Sequence, residues 1–592
     1  MFCYGVIFVN KKILCLILMV CVAAAAAFAG CTVQTQDTAA ADNDHGKVSQ
    51  MSMPFDPKTT SVTEKASVLY LFKVDKTENI TLYFMNGGDI PYVSIEEFSS
   101  MYDDDNDDFS MTYKADGSSA YYINPNGYSA DFDFEKNTIH FTDYNMFNQM
   151  SGDVPEYSGG IGGDVAPLFQ KDDAKSYERY GREITFRLGD YGIPMVHKNN
   201  GYYIPLQTFS DVFLAPMGCF ALYNGQDIIL AGGLSKDLAE IYYSAPKLER
   251  TKELAEFDYN ELCFALDHHY GLKDTHRIMN FDTFFHECGY DDELKSTNQT
   301  IADEALYQFI ALHLDDQHSA FRAFSFRTDK EMFIKDMPAL GEGLSVTASL
   351  NQQEEYEKVR AKYYPNGVPH YEEIGNTAYI TFDHFEDENC DDYYSAPRED
   401  ELDNTMRLMQ YAYDRITRKD SPVENVVMDV SLNTGGTAYT AIYTVGLFLG
   451  EGQISLDDEL TGALIASYYH IDTNRDHVFD EKDTLAGKGY KFYCLETDTS
   501  FSCGNLVTNA FKNSNRVTLI GQTSGGGSCV VQPMSTAAGT QFQISGNKRL
   551  SFIKNGAFYD IDRGAEPDVY IKDPNFLYDR KALTDYINNQ IK

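Results

Sequence analysis

The sequence lacks tryptophan and is poor in basic residues. Its aromatic content rests on 42 Tyr and 38 Phe, so tyrosine is the expected polar-tipped aromatic of cores and pockets. Lys and Arg number 48 against 89 Asp and Glu, which gives a net charge of −41. Such a chain repels phosphate backbones and anionic lipid headgroups, which argues against a nucleic-acid partner and requires a separate anchor for any membrane contact. With 43% hydrophobic residues in 592, disorder and a single small module are both excluded.

Cysteine is scarce and scattered. The chain has 11 cysteines, and those beyond residue 31 show neither a C-x-x-C pair nor the His spacing of a zinc site. They are Cys219, Cys263, Cys288, Cys390, Cys494, Cys503 and Cys529. We therefore expect buried free thiols, with an approach of Cys503 to Cys529 left open because it depends on two loops.

The N-terminus carries an apolar run over residues 13–28, preceded by Lys11 and Lys12. A membrane-spanning helix needs about 20 apolar residues, so this shorter run fits an export signal. The run ends in FAGC at 28–31, which resembles a bacterial lipobox and implies lipidation of Cys31 as the mature N-terminus. The expected location is extracytoplasmic, as a membrane-anchored bacterial lipoprotein. The alternative is an ordinary secretory signal, residues 1–31, with an incidental cysteine.

Four regions follow the signal. Residues 32–63 are polar and aperiodic, as in a flexible tether. Residues 64–233 alternate short apolar runs with Asn-Gly and Gly-Gly turns, which predicts a β-rich (α+β) domain that resembles amine-oxidase N-terminal-like domains. Residues 234–314 show helical periodicity, and residues 315–592 alternate strand and helix, which predicts an α/β domain with parallel strands.

Two further features mark the β-rich region. Segments 90–98 and 203–209 look alike, each with a strand, a proline and the start of a short helix. The cluster DDDNDD at 103–108 is expected to be a solvated loop, with a cation site as the alternative.

Two strand-loop-helix units in the last region carry chemistry. The strand 425–430 leads to SLNTGG at 431–436, and a glycine pair before a helix presents bare N–H groups that suit an oxyanion or a phosphate. No Gly-Lys-Ser/Thr sequence follows, so a phosphate-binding loop is disfavoured. In the second unit Ser502 opens a helix, where a serine is either an N-cap or a nucleophile. The Gly-x-Ser-x-Gly elbow is unmet, because Ser500 replaces the first glycine.

Four motifs in order resemble the C-terminal processing peptidases, or tail-specific proteases, whose superfamily includes the tricorn core. They are DVSLNTGG at 429–436, SFSC at 500–503, GQTS at 521–524 and GAEPD at 564–568. The resemblance implies a crotonase-like (ClpP-like) catalytic core and makes Ser502 the nucleophile. It implies oxyanion donors at Cys503 and at Gly435 or Gly436. The short stretch between Ser319 and Gly375 lacks the pattern of a PDZ domain, so none is expected.

The sequence departs from this family at the residue that serves as the catalytic general base. Gly527 stands where the family has its lysine, and a serine hydroxyl without a base is a weak nucleophile. The tricorn-like branch uses histidine, and DDQHS at 315–319 resembles the segment that supplies it, which implies His318 as the base. The resemblance further implies that Asp562 orients His318, with Asp560 as the second candidate.

A twelve-residue loop at 472–483 has the ligand spacing of an EF-hand. The candidate ligands are Asp472, Asn474, Asp476, the Val478 carbonyl, Asp480 and Asp483. His477 occupies the usual glycine position, and Asp483 replaces the usual glutamate, as in dockerin-like loops. We expect a structural calcium ion that orders the strand before Ser502; the alternative is a solvated acidic loop.

The sequence therefore predicts an extracytoplasmic serine-type endopeptidase that acts on peptide or protein substrates. It predicts no cofactor for catalysis and membrane contact through the lipid anchor only. The first alternative is a catalytically inactive peptidase-like binding or scaffold lipoprotein. The second is calcium-dependent adhesion through residues 64–233.

Overall fold

The computed structural model describes residues 51–99, 111–147, 163–331, 333, 343–387, 390 and 392–591. The predicted signal peptide with Cys31, most of the tether and the acidic cluster 103–108 lie outside the described residues. The predicted fold class is confirmed, since a β-rich N-terminal region precedes a mixed α/β core.

The N-terminal region consists mainly of short strands with alternating buried residues. The strands are β1 (Val62–Leu71), β2 (Thr77–Met85), β3 (Pro91–Ser94), β4 (Thr112–Asp116), β5 (Ser119–Ile123), β6 (Ser129–Asp133), β7 (Thr138–Phe141), β8 (Phe169–Lys171), β9 (Tyr177–Arg179), β10 (Ile184–Arg187), β11 (Val196–Lys198), β12 (Gly201–Pro205), β13 (Phe220–Tyr223) and β14 (Ile228–Ala231), with helices α1 (Ile95–Ser99) and α2 (Leu206–Phe209). One sheet has the order β11-β12-β3-β2-β1-β14-β13, and a second has β10-β7-β6-β5-β4.

The two segments that look alike in sequence are neighbours in the first sheet. Strand β12 pairs antiparallel with β3, with Ile204 opposite Val93. Each strand runs directly into its short helix, α1 or α2. The repeated pattern thus forms a pair of neighbouring strands within this sheet.

Strands β8 and β9 do not join the sheets of the N-terminal region. Both pair antiparallel with a strand of the C-terminal core, Leu464–Ile471. The sequence-based boundaries assign 169–179 to the 64–233 domain, whereas their backbone hydrogen bonds go to the core. Strand pairing between distant segments leaves no local pattern, so sequence periodicity does not reveal it.

Helices occupy the next segment. They are α3 (Lys236–Ser244), α4 (Lys252–His269), α5 (Phe281–Cys288), α6 (Asp291–Leu294) and α7 (Gln299–Phe309). The Thr251 hydroxyl caps α4 by accepting the N–H of Leu254. The periodic residues Leu254, Phe257 and Leu262 are buried, and they join one core cluster with the N-terminal sheets.

The described residues of the C-terminal region form two large sheets, a separate pair of short strands and six α-helices. Its strands are β15 (Ala320–Ala323), β16 (Tyr371–Ile374), β17 (Thr377–Thr381), β18 (Asn425–Asp429), β19 (Gly452–Asp458), β20 (Leu464–Ile471), β21 (Lys491–Glu496), β22 (Val517–Gly521), β23 (Cys529–Ser535), β24 (Gln541–Ser551), β25 (Ile553–Lys554), β26 (Ala557–Phe558) and β27 (Val569–Tyr570). Its helices are α8 (Leu344–Tyr363), α9 (Thr405–Thr417), α10 (Ala438–Leu449), α11 (Cys503–Ser514), α12 (Asn575–Tyr578) and α13 (Arg580–Gln590). Strands β25 and β26 form a separate pair.

The central sheet of this region has the order β16-β17-β18-β21-β22-β27 and is parallel from β17 to β27. Helices α9, α10 and α11 bury their apolar faces on one side, and α8, α12 and α13 on the other. Covering both faces explains why nearly every residue of the inner strands β17, β18, β21 and β22 is buried.

The second sheet of the core has the order β15-β24-β19-β20-β8, with β23 paired to β24 and β9 to β20. Strands β23 and β24 pack against the N-terminal region and share its core cluster. In the parts of the chain that the structure describes, no helix is long and apolar enough to cross a membrane.

Candidate active site

Ser502 and His318 line one cleft of about 300 Å³, together with Gly436, Cys503 and Gly527. Gly436 follows β18, and Ser502 follows β21. These strands are parallel neighbours, so their loops meet at the carboxyl edge of the central sheet. The tertiary structure thus brings together residues from three separate predicted motifs.

Ser502 has a backbone conformation that side-chain-bearing residues rarely adopt, with φ 54° and ψ −121°. Its N–H donates to the Gly526 carbonyl at 2.9 Å. Although α11 begins at the next residue, the Ser502 side chain makes no capping hydrogen bond. The hydroxyl therefore does not serve as the N-cap that the sequence left open, and it faces the cleft.

The backbone N–H groups of Gly435, Gly436 and Cys503 are the candidate oxyanion donors near Ser502. The Gly435 N–H donates to Asn433 Oδ1 at 3.0 Å. The N–H groups of Gly436 and Cys503 donate to no acceptor in the hydrogen bonds of the described residues. Of the two glycines that the resemblance implied, the structure therefore favours Gly436, with Cys503, as an oxyanion donor.

Gly435 has a different role, because its backbone lies against the nucleophile. A Cβ at this position would lie 2.6 Å from the Cβ of Ser502, and its φ of +104° is unfavourable for any other residue. The Asn433 carbonyl accepts the N–H of Phe501 at 3.0 Å, which ties the two loops together. The glycine pair thus lets the loop before α10 touch the start of α11.

The remaining motifs hold the loops of the cleft. Ser524 Oγ accepts the N–H of Ala565 at 2.7 Å, and Asp568 Oδ2 accepts the N–H of Leu519 at 2.9 Å. These contacts join the GQTS and GAEPD segments to each other and to β22. Their role is therefore structural support.

His318 comes from the loop between the helical segment and β15. After α7 the chain makes one wide helical turn, Ile310–Leu314, and Asp315 ends it with φ 45°. The Gln543 side chain donates to the His318 carbonyl at 2.7 Å. The histidine is 8% exposed, and burial lowers the pKa of its imidazole, although the charges of Asp316 and Asp562 act in the opposite direction.

The carboxylate that fixes the loop of His318 is Asp316, which sequence reasoning did not single out. Its Oδ1 accepts the N–H groups of His318 and Ser319 at 3.1 and 2.8 Å and the hydroxyl of Ser545 at 2.7 Å. Its Oδ2 accepts the hydroxyl of Tyr270 at 2.9 Å. The D-x-H spacing of the motif could have indicated this role of Asp316, because an aspartate side chain commonly accepts the N–H of the residue two positions later.

Asp562 was predicted to orient His318, and no hydrogen bond joins the two side chains among the described residues. Its Oδ1 accepts the N–H groups of Gly527 and Ser528 at 3.2 and 2.9 Å, and its Oδ2 lies 3.8 Å from Arg549. His318 Nδ1 is buried with no hydrogen-bond partner among the described residues. The side chain of aspartate is one C–C bond shorter than that of glutamate, and the Asp562 carboxylate is already hydrogen-bonded to the glycine-rich loop. Asp562 therefore acts on the imidazole through its charge.

Asp560, the second candidate, makes its contacts with other residues. Its Oδ1 forms an ion pair with Arg549 at 2.8 Å and accepts the N–H of Asp562 at 2.9 Å. It therefore supports the position of Asp562.

Gly527 marks the place of the missing lysine. Its φ is +86°, and a Cβ there would lie 2.5 Å from the ring of Phe501. The space that a longer side chain would need is thus filled by an aromatic ring.

The structure also reveals lining residues that the motifs did not indicate. The N-terminal region contributes Ala215, Met217 and Gly218 to the cleft, and β24 contributes Lys548. The sequence motifs do not indicate them, since Ala215, Met217 and Gly218 lie far from these motifs along the chain and Lys548 lies on a strand between two of them.

The cysteines beyond residue 31 are all free thiols. Cys503 and Cys529 both line the cleft without bonding to each other. Burial raises the pKa of Cys503 to about 12, so its thiol is not ionised at neutral pH.

The loop 472–483 lies away from the cleft and is held by its own backbone. Asp472 accepts the N–H groups of Arg475 and His477 at 2.7 and 2.9 Å, and Asp483 accepts that of Asn474 at 3.1 Å. His477 has φ 61°, the conformation for which a glycine is usual at this position. In the described part of the chain, the carboxylate and histidine atoms that gather within 4.8 Å of one another belong to Asp172, Glu451 and His470, not to this loop.

The fold and the cleft define a serine peptidase with an α/β core. Residues 376–571 match the family model "Peptidase family S41", and this segment contains Ser502 and both glycines of the 435–436 pair. The match assigns this segment to that peptidase family and confirms the resemblance of its motifs to the C-terminal processing peptidases. His318 and the N-terminal region lie outside the matched residues.

Solved structures show a distant likeness. The photosystem II D1 C-terminal processing protease is 16% identical over 36% of this chain and 47% of its own, with a TM-score of 0.27. A lipoprotein from Streptococcus agalactiae is 13% identical over 57% of this chain and 97% of its own, with a TM-score of 0.32. The tricorn protease is 18% identical over 40% of this chain and 19% of its own, with a TM-score of 0.22. No curated protein matches the sequence significantly.

Proposed function

We propose that this protein is an extracytoplasmic serine endopeptidase in which Ser502 is the nucleophile and His318 the base. The observation that carries the proposal is the Ser502 side chain, which stands at a helix start without capping it and lines the same cleft as a buried histidine. Peptide or protein substrates follow from the family of the 376–571 segment. That match also disfavours the alternative that the protein is a catalytically inactive scaffold.

The chemistry follows from the positions of these groups. Ser502 Oγ attacks the carbonyl carbon of the scissile bond while the imidazole of His318 takes its proton. The developing oxyanion accepts hydrogen bonds from the N–H groups of Gly436 and Cys503. The imidazolium then protonates the leaving amine, and water, activated by the same imidazole, releases the acyl group from Ser502. Asp316 and Asp562 stabilise the imidazolium through their charges.

Active-site labelling tests the proposal. Purified protein is treated with a fluorophosphonate, and the modified residue is mapped by mass spectrometry. We expect the label on Ser502, its loss in Ser502→Ala and slower labelling in His318→Ala. Ser514→Ala is the matched control at the far end of α11, where the hydroxyl donates only to the Phe511 carbonyl, and it should label like the wild type. Absence of label together with absence of peptide turnover would favour the scaffold.

The lipid anchor is part of the proposal and rests on the sequence alone. Cys31 follows a short apolar run and small residues, the context in which exported bacterial proteins acquire a lipid. Metabolic labelling with a fatty-acid analogue should mark the wild type and not Cys31→Ser. Labelling of neither protein, with both secreted, would indicate an ordinary signal peptide.

We also propose that the loop 472–483 binds a structural calcium ion, which would order the strand before Ser502. The kind and spacing of its oxygen donors and the positive φ of His477 support this. Asp472, Asn474, Asp476, Asp480, Asp483 and the Val478 carbonyl would hold the ion.

A further inference from the structure

Lys548 is a buried cation inside the catalytic cleft. It lies on β24, is 3% exposed and lines the same cleft as Ser502. Leu550, two residues further along the strand, also lines the cleft, as expected for side chains on one face of a strand. The lysine therefore belongs to the wall that a substrate would meet.

The surroundings of Lys548 hold its ammonium in place. Nζ donates to the Pro216 carbonyl at 3.0 Å, so the lysine joins the core to the N-terminal region. Burial lowers the pKa of Lys548 to about 7, although the charge of Asp458 acts in the opposite direction. Burial and the charge of Lys548 lower the pKa of His269 to about 3, so this neighbour is neutral.

The cleft contains no acidic side chain among the described residues that line it. This is notable in a chain with 89 Asp and Glu. The walls near Ser502 are mostly apolar and include Ala438, Leu506, Val530, Leu550 and Ile561. No carboxylate of the protein is among the residues that line the wall beside Lys548. The lysine is therefore suited to a carboxylate of a ligand, because charge-assisted hydrogen bonds strengthen where water is excluded.

We propose that Lys548 is a specificity-determining residue that binds a carboxylate of the peptide substrate inside the catalytic cleft. The inference rests on the proposed peptidase function and adds a substrate class to it. The carboxylate belongs either to an Asp or Glu side chain near the scissile bond or to the C-terminus of the peptide. Both present the same chemistry to the ammonium.

Matched peptide pairs test this inference and distinguish the two sources. One set replaces Glu by Gln at successive positions around the cleaved bond, and the other compares a C-terminal acid with its amide. We expect one set to show a 10- to 100-fold higher kcat/KM for the acidic member, about the strength of a hydrogen bond to a charged group. The set that shows the preference identifies the source. In Lys548→Met the ratio should fall below about threefold, whereas the exposed Lys491→Met should keep the wild-type ratio.

A second readout does not need turnover. The same peptides should protect Ser502 from the fluorophosphonate, and acidic members should protect at lower concentration. Equal protection and equal turnover by acidic and neutral members of both sets in the wild type would overturn the role of Lys548 while leaving the peptidase intact. This result decides the question even if Lys548→Met fails to fold. Absence of labelling would instead count against the proposed function.

Discussion

The ring of Phe501 lies edge-on to the imidazole of His318, with the ring centroids 4.7 Å apart. The same ring occupies the space beside Gly527, where the family has its lysine. One side chain thus packs against the candidate base and blocks the position of the alternative base. Phe501 therefore leaves no room for a lysine side chain at residue 527 and packs against the histidine that we propose as the base.

Restoring the lysine should harm the protein. In Gly527→Lys the new Cβ meets the Phe501 ring and the backbone keeps a positive φ, which should cost about 1–3 kcal/mol of unfolding free energy. Gly556→Lys is the matched control, because Gly556 has φ +78° and open space around it. Urea denaturation measures both variants. If Gly527→Lys is as stable as the control, the Phe501 ring can move aside for the lysine, which would contradict this prediction.

The pH profile should report a histidine with a lowered pKa. Because burial disfavours the imidazolium of His318, kcat/KM should fall only at a pH below the ordinary histidine pKa of about 6.5. An uncharged peptide is the appropriate substrate, since burial lowers the pKa of Lys548 in the same cleft to about 7. His318→Gln should lose about 10²- to 10⁴-fold in kcat/KM, together with this acid limb. An acid limb unchanged in His318→Gln would indicate another base.

Removing the charge of Asp562 should lower the pKa of His318 further. Asp562→Asn keeps an oxygen that can accept the N–H of Ser528 but removes the negative charge that favours the imidazolium. We expect the acid limb to move to lower pH and kcat/KM at pH 7 to fall about tenfold. Asp560→Asn is the control and should not move the limb. The reverse pattern would make Asp560 the carboxylate that acts on the histidine.

The contact of Gly435 with Ser502 predicts a strong effect of one methyl group. In Gly435→Ala the Cβ would lie 2.6 Å from the Cβ of Ser502, so the nucleophile must shift. Displacement of a reacting group by about 1 Å costs on the order of 10²-fold in rate. Gly367→Ala, at φ +92° with nothing nearby, should carry a similar backbone cost with normal turnover. Equal kcat values for the two variants would show that the loops adapt.

Calcium should stabilise the protein if the loop 472–483 binds it. With the dissociation constant of about 10⁻⁴ M that extracellular sites reach, millimolar calcium should add about 1–3 kcal/mol and raise Tm. Asp476→Ala is the informative variant, because Asp476 is exposed and accepts only the N–H of Val478. It should abolish the calcium-dependent change in Tm. A Tm of the wild type that is equal in calcium and in EDTA would contradict calcium binding.

The sequence alone predicted the parallel sheet, the family resemblance of the catalytic motifs and several residues that line the cleft. This was feasible because the signals are local. A buried parallel strand is an unbroken apolar run, a glycine pair before a helix exposes backbone donors, and the four motifs keep a fixed order. Ser502 and His318 could be named because each lies within such a short motif.

Only the tertiary structure decided how these pieces meet. It distinguished Gly436 from Gly435 as the available donor, because the partner of an N–H group depends on loop geometry. It brought β8, β9 and the turn Ala215–Met217 to the core. These contacts join segments that lie far apart along the chain, and no local periodicity records the register between them. The acidity of the chain was evident from its composition, but the exclusion of carboxylates from the catalytic cleft appears only once the chain is folded.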